Sequence, residues 1–500
     1  MKWVLLVAYL PQLILCGYGV IFVLMKKETL LELWWRWINR VAPVLVALGL
    51  GIAIAGQIFQ AVCSPLFERC AWVYSLTITS WHWMHGYPMY PVASDIGRYA
   101  INYGPFVYLM QALGIACFGH PIHGAKLISV IMASLGLLGL LWVTIKQNKR
   151  LFWIPFGLIF FPLAIFGRAV FSNRPESLML MGVVLAILAI ESQVLWFVLG
   201  VLGIALVLNA KFHGILYVLP VLPCMIQKRG WQKTVLVLCC AVLINGFVFL
   251  MPGIDWAGYW TYIILTVNHG VVFDNVIPYI FWWVSLIIPM LMIRFRFHWV
   301  TIVSVALLTS SSLKMGTYSN VFGPFVPILV WELSRYLEHS TYDIKKKAGV
   351  MIGVLLFFCF VTSSFFFSAQ VWGLIKRQDE FRQQKTELIH LFQAYQPKVP
   401  LVGYPSGNTF QAFGLYLPYT ASSLLWTDEG VWLWALQNTS FKAQADCFKT
   451  HQFDVIFMPK GQPFGGSLSD FRCLDIFKQA FSDYYQCVAR HQYFDVWIQK

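Results

Sequence analysis

Glu68 and Asp95 are the two carboxylates best placed for chemistry, because both lie in one long stretch between two apolar runs. A carboxylate can take the proton from an attacking hydroxyl, or it can hold a divalent cation. Cations recur in similar positions. Arg69 follows Glu68, and Arg98 and Tyr99 follow Asp95. Arg174 and Glu176 flank Pro175, Lys211 and His213 precede Gly214, and Lys314 stands before Met315 and Gly316. Arginine holds phosphate through a bidentate fork and lysine holds it as a point charge. An acceptor hydroxyl loses a proton as it attacks a sugar carbon, and a phosphate leaving group gathers charge. Carboxylates and cations together serve both needs. Taken singly, each residue also suits a wetted loop. Arg174 and Glu176 could pair with each other, Lys211 could snorkel to an interface, and Arg98 and Tyr99 could anchor at headgroup level. His82 and His85 are spaced three apart with no third ligand of matching type, so no zinc site is indicated.

The elements that must position these residues are apolar. Of 500 residues, 59% are hydrophobic, 17% aromatic and only 12% charged. A soluble domain carries about twice that charge. The chain therefore needs lipid as solvent. A net charge of +14 would suit nucleic acid if it formed a stripe. Instead the basic residues sit in short clusters between apolar runs: Lys26-Lys27, Arg36 to Arg40, Lys146 to Arg150, Lys228 to Lys233, Arg294 to Arg296 and Lys345 to Lys347. Cytoplasmic loops of membrane proteins look like this, and nucleic-acid binding is not expected.

A span takes roughly 20 apolar residues. Twelve are expected, near 3–25, 41–62, 124–145, 151–169, 176–192, 194–210, 213–227, 233–251, 275–293, 298–313, 319–336 and 348–372. The stretch Trp3 to Met25 reads as a span rather than a cleaved signal, since it lacks a basic start and a small-residue cleavage site. If Lys26 to Arg40 is cytoplasmic, the loop 63–123 is outside, and the later basic clusters all fall inside. This requires 105–119 to lie on the outer surface as an interfacial helix. The same side then receives Glu68, Asp95, Arg98, Arg174, Glu176, Lys211, His213, Asp255, His269, Asp274, Lys314, Tyr318 and Asn320.

Three blocks follow. Residues 1–40 make an extra N-terminal span and a cytoplasmic loop, and 41–375 the main transmembrane domain. Residues 376–500 form a small extracytoplasmic α/β domain. It opens with an amphipathic helix from Lys376, and apolar runs follow at Val399 to Gly403, Phe453 to Met458 and Tyr493 to Ile498. Of eleven cysteines, Cys63 with Cys70, and a pair among Cys447, Cys473 and Cys487, could bridge outside. The aromatic residues, Trp34-Trp35-Arg36-Trp37 among them, read as interface belt and packing. Asn438-Thr439-Ser440 has the form of a glycosylation acceptor. No repeat, phosphate-binding glycine loop or serine-nucleophile turn is present in a credible setting.

The first outer loop also resembles a known one. Phe67-Glu68-Arg69, Trp83-Met84-His85-Gly86-Tyr87-Pro88-Met89-Tyr90, Asp95-Ile96-Gly97-Arg98-Tyr99, Asn102-Tyr103-Gly104-Pro105 and Tyr108 resemble the first loop of GT-C superfamily glycosyltransferases. The likeness is greatest to the protein mannosyltransferase and aminoarabinose transferase families. Asn173-Arg174-Pro175-Glu176-Ser177, Lys211-Phe212-His213-Gly214, and Lys314-Met315-Gly316 with Asn320 resemble later family motifs. The resemblance covers about 55–375. It departs at the first acid, where the family usually has aspartate and this chain has Glu68 followed by Arg69.

The resemblance implies a GT-C-like bundle, a surface helix at 105–119 and inverting transfer of a sugar from a polyprenyl-phosphate donor. The acceptor would be a glycan, lipid or protein at the outer face of a bacterial cytoplasmic (inner) membrane. Glu68 or Asp95 would be the base or a metal ligand. Arg98, Tyr99, Arg174, Glu176, Lys211, His213 and Lys314 would contact substrate. A divalent metal is compatible but not indicated. The rivals are a transporter or flippase for lipid-linked sugars, which would need charges near the bilayer midplane, and a non-catalytic scaffold.

Overall fold

The computed structural model describes residues 28–63, 72–90, 103–160, 170–267, 293–311, 319–398, 400–402, 453–460 and 475–500, with isolated positions at 17, 283, 287, 290–291, 313, 446 and 448–451. Glu68, Asp95, Arg98, Tyr99, Lys314 and the cysteines at 70, 447 and 473 lie outside them, as do most of the expected spans 3–25 and 275–293.

In chain order, the helices used below are α1 (Glu28–Cys63), α2 (Trp72–Met84), α3 (Pro105–Phe118), α4 (Pro121–Asn148), α5 (Pro175–Glu191), α6 (Trp196–Ala210), α7 (Leu222–Arg229), α8 (Trp231–Phe247), α9 (Trp256–Val267), α10 (Trp299–Ser311), α11 (Val326–Glu338), α12 (Tyr342–Tyr395) and α13 (Asp475–Tyr484). The strands are β1 (Pro400–Val402), β2 (Val455–Pro459), β3 (Tyr485–Arg490) and β4 (Phe494–Gln499). Among the described residues, three helices are long and apolar enough to cross a membrane: Glu28–Cys63, Pro121–Leu151 and Trp231–Leu250. Shorter apolar helices cover Pro105–Phe118, Trp196–Ala210 and Trp299–Ser311. The chain is a helical membrane protein.

The residues divide into two compact units. The first comprises Met1–Ile58, Ser129–Asn245 and Gly270–Ala369, the second Phe59–Ile128, Gly246–His269 and Gln370–Lys500.

In the first unit, α5 and α6 form an antiparallel hairpin closed by Ser192, whose Oγ accepts from the Leu195 amide at 3.1 Å. A Cβ at Gly203 would stand 2.6 Å from the Gly182 carbonyl, so the crossing tolerates no side chain there. Small residues of this kind let helices approach closely in lipid. Glu191, at the far end of α5, is a hub. Its carboxylate pairs with Lys228 at 3.1 Å and accepts from Gln147 and from the Trp331 indole, each at 3.2 Å. Lys146 donates to its carbonyl at 3.0 Å, and Arg229 donates to the Ile190 and Ser192 carbonyls. These cations come from two basic clusters expected to share a side.

The stretch 28–40, expected as a loop, is helical and belongs to α1. Trp35 and Ile38 are buried while Trp34 and Trp37 face outward. Helical periodicity therefore governs a segment whose charges had suggested a loop. Trp35 donates to the Tyr342 hydroxyl at 2.8 Å, and Lys346 pairs with Glu32 at 3.3 Å. The expected span 213–227 is broken into a 3-10 turn (Phe212–Gly214), a short helix (Ile215–Val218) and α7. Pro220 lacks the amide that a continuous helix would use.

In the second unit, α3 begins where Pro105 provides a first-turn residue with no amide to satisfy, and it ends at Gly119 in the left-handed region (φ 68°). Its bounds are those of the helix expected at 105–119. The sheet has the order β1-β2-β4-β3, with β1 parallel to β2 and the other pairs antiparallel. The three apolar runs supply β1, β2 and β4. Val402, Val455, Phe457, Phe494 and Val496 pack on Ile78 of α2, Ile122 of α4, and Leu388, Leu391 and Phe392 of α12. The amphipathic segment expected to start at Lys376 is the continuation of α12, whose apolar face makes this core.

Candidate active site

Pro175 sets the start of α5. Arg174, in extended conformation (φ −119°, ψ 162°), occupies the cap position, and its carbonyl accepts from the Ser177 hydroxyl at 3.0 Å. Glu176 thereby falls in the first helical turn, where the exposed amides favour a negative charge. Its side chain is fully buried.

The hairpin brings the end of α6 back to this point. Lys211 leaves the helix in extended conformation (φ −145°, ψ 147°), and its Nζ lies 2.6 Å from Glu176 Oε1. The following turn is held by the Gly214 amide, which donates to the Lys211 carbonyl at 2.8 Å. A Cβ on Gly214 would sit 2.0 Å from the Val207 carbonyl oxygen, so only glycine lets this turn lie against α6. Tyr217, one turn further on, donates to the Val321 carbonyl at 2.6 Å and ties the segment to the 3-10 stretch Ser319–Phe325.

Of the site residues expected from sequence, the structure joins Glu176 and Lys211. Glu176 and Lys211 are directly paired and buried. Arg174 and His213 are half-buried beside them in sequence, and the His213 ring centroid is 6.1 Å from that of Tyr217. A buried ion pair of this kind holds two backbone turns in register, because removing either partner strands a charge. The pair was not legible from sequence, where its members are 35 positions apart.

Glu191 sits at the opposite end of the same 17-residue helix, about 22 Å from Glu176 at 1.5 Å per residue. Within the first unit, charges expected outside and charges expected inside thus lie at opposite ends of α5. The Glu191 hub had no signal in the sequence beyond the basic clusters that feed it.

In the second unit, His82 is buried and its imidazole is pushed down to about 3, first by burial and then by nearby His85. His85 is exposed, and its Nδ1 lies 2.7 Å from the Trp81 carbonyl. The two rings occupy different surroundings. Tyr90 is buried among Tyr108, Tyr259 and Tyr262 and donates to the Tyr103 carbonyl at 2.6 Å, which fixes the end of the first loop onto α3. Burial raises its phenol well above the ordinary value. Among the described residues, no group of three or more His, Cys, Asp or Glu side chains could hold a metal.

No protein-family model matches the chain, and no curated protein matches it. Two solved structures are similar. One is the crystal structure of ArnT from Cupriavidus metallidurans bound to undecaprenyl phosphate, with a TM-score of 0.57 and 13% identity over 90% of this chain and 97% of that one. The other is the arabinosyltransferase EmbB from Mycobacterium smegmatis, where a TM-score of 0.36 over 57% of this chain and 30% of that one is too low to support an argument. The match to ArnT runs the length of both chains. This chain shares the fold of that ArnT structure.

Proposed function

We propose that this protein is a GT-C glycosyltransferase that moves a sugar from a polyprenyl-phosphate donor to an acceptor at the outer face of the bacterial cytoplasmic membrane. The observation that carries this reading is the near full-length fold likeness to ArnT, a structure that holds undecaprenyl phosphate. Fold alone does not fix activity. The motifs around Glu68, Asp95, Arg174, Lys211 and Lys314, in their order along the chain, support the same reading.

In the proposed reaction, Glu68 or Asp95 takes the proton of the acceptor hydroxyl. The acceptor oxygen attacks the anomeric carbon from the face opposite the phosphate. The bond from that carbon to the phosphate oxygen breaks, its electron pair stays on the polyprenyl phosphate, and the sugar inverts. Arg98, Arg174 and Lys314 bind the phosphate, and Tyr99 and His213 contact the sugar or its carrier. Lys211 contributes charge to this site while its pairing with Glu176 holds the two turns that carry Arg174 and His213. If a divalent metal takes part, Glu68 and Asp95 would hold it.

The test is transfer by the purified protein in lipid nanodiscs, with polyprenyl-phosphate sugars as donors. Free polyprenyl phosphate and a new glycosidic bond should appear together, and both should be lost in Glu68→Gln or Asp95→Asn. Movement of intact donor across proteoliposomes without either product would favour a transporter instead.

A further inference from the structure

In the second unit, four basic side chains gather around the first two turns of α4. His120 immediately precedes the helix, and its Nδ1 accepts from the Ile122 and His123 amides at 3.2 and 3.4 Å. The histidine therefore caps its own helix, and in the neutral ring the remaining proton is on Nε2. The His123 ring centroid is 4.4 Å away. Its Nδ1 lies 2.9 Å from the Ala61 carbonyl, which can only accept, so this nitrogen donates and Nε2 faces elsewhere. Lys126 is one turn further along and is buried. Lys385 comes from α12, one turn before Leu388, which shares a core with Ile122. It is close enough to add to the burial and the His123 neighbour that hold the His120 imidazole down at about 4. Glu387, on the same helix, accepts at Oε1 from the Tyr493 and Phe494 amides at 2.9 Å.

The position of this cluster is set by length. The segment Pro121–Leu151 has 31 residues, and its most apolar 18-residue stretch has a mean hydropathy of 2.3. A helix of that length spans about 46 Å, against about 30 Å of hydrocarbon. Its polar first turns must project into the headgroup layer. The anion most abundant at that depth is a lipid phosphate.

We propose that Lys126, Lys385 and the Nε2–H of His120, with His123 beside them, bind the phosphate of an anionic phospholipid of the surrounding bilayer. The phosphate bridges α4 and α12, and so secures the stretch of α12 on which the C-terminal sheet packs. Lys126 and Lys385 supply the charge and the neutral His120 its Nε2–H; the helix end does not make the site, because its amides at Ile122 and His123 already donate to His120. The proposal stands independently of the sugar-transfer reading.

The test uses the full chain, delipidated in neutral detergent and then placed in nanodiscs of phosphatidylcholine with or without phosphatidylglycerol. Lipid retained on release is counted by native mass spectrometry, and thermal unfolding is followed in parallel. Phosphatidylglycerol should be retained preferentially and should raise the unfolding temperature. Lys385→Gln should weaken that preference about fivefold, the effect of one basic group near a charged surface, and His120→Asn, which removes a neutral donor, should weaken it by less. His120→Asn keeps a capping side chain, so a folded variant is expected. Equal retention of the two lipids, or an unchanged preference in the double variant, would overturn the proposal. So would equal stabilisation by inorganic phosphate in lipid-free detergent, which would make this a site for free anions. Preference for polyprenyl phosphate over phosphatidylglycerol would assign the site to the donor and overturn it as well.

Discussion

Lys211 Nζ lies 2.6 Å from Glu176 Oε1, and both side chains are buried where the end of α6 meets the start of α5. Neither charge can be removed alone without leaving the other unpaired in a poor solvent. Glu176→Gln or Lys211→Met should each destabilise the protein by about 3 to 5 kcal/mol. The double change Glu176→Leu with Lys211→Met should recover most of that loss, since an apolar pair of similar volume replaces it. Thermal unfolding in detergent measures both. Transfer should stay at least about tenfold down in the recovered double variant, one charge-assisted contact being worth that much. Full activity there would reduce the pair to packing.

The turn that carries Lys211 depends on a residue with no side chain. Gly214→Ala places a Cβ 2.0 Å from the Val207 carbonyl, which is backbone and cannot swing aside. Overpacking should cost about 3 kcal/mol, read as a lower unfolding temperature. The loss should exceed that of Gly51→Ala on α1, where a Cβ meets nothing within 4 Å.

The sides of the first unit can be checked directly. Arg174 and Lys228 lie at opposite ends of α5, the second through its 3.1 Å pairing with Glu191. In a background with all eleven native cysteines replaced, single cysteines at 174 and 228 should label from opposite faces of sealed vesicles. A membrane-impermeant maleimide reads this out. Labelling from one face would reverse the sidedness on which the outer-face assignment stands.

Much of this arrangement was legible beforehand, and the exceptions have causes. The limits of α5 and α6 follow from Pro175, from the apolar runs and from polar residues at each end. Three of the four strands fall on apolar runs seen in the sequence, of which only Tyr493 to Ile498 was read as a strand, and β3 had no such run. The start of α1 was missed because Arg36 and Arg40 signalled a loop, while the alternation of buried Trp35 and Ile38 with exposed Trp34 and Trp37 carried the helix. The break in 213–227 was marked by Gly214 and Pro220, which average hydropathy hides. The pairing of Glu176 with Lys211 could not be read, because it depends on which helices become neighbours. The roles of Glu68, Asp95, Arg98, Tyr99 and Lys314 rest on the sequence and its resemblance.

Acid should weaken the second unit. The His120 imidazole is held at about 4 in the folded protein against an ordinary value of 6.5, chiefly by burial. Above the unfolded value both states are neutral and pH has no effect. As pH falls from about 6.5 to 4, the unfolded chain takes up protons that the folded one refuses, so stability declines across that window. His82 adds in the same direction down to about 3. In phosphatidylcholine nanodiscs the unfolding temperature should therefore fall with pH below 6.5. His120→Asn, which retains a cap, should flatten part of that slope. An unchanged slope would mean that His120 is not held neutral.

The base can be assigned by separating binding from chemistry. Glu68 and Asp95 compete for the role. A residue that takes the acceptor proton acts in the transition state, so replacing it by its amide should lower kcat about 100- to 10,000-fold with little change in KM. The acid limb of the pH–rate profile should vanish with it. The carboxylate that only positions the loop should change KM and leave that limb intact. Arg98→Gln, Arg174→Gln and Lys314→Gln should act on the donor, raising its KM and weakening the pull on the leaving phosphate. Glu191→Gln removes a charge at the far end of α5 and should alter stability with no effect on either constant. Equal kcat losses in Glu191→Gln and Glu68→Gln would mean that the measured effects report folding and not catalysis.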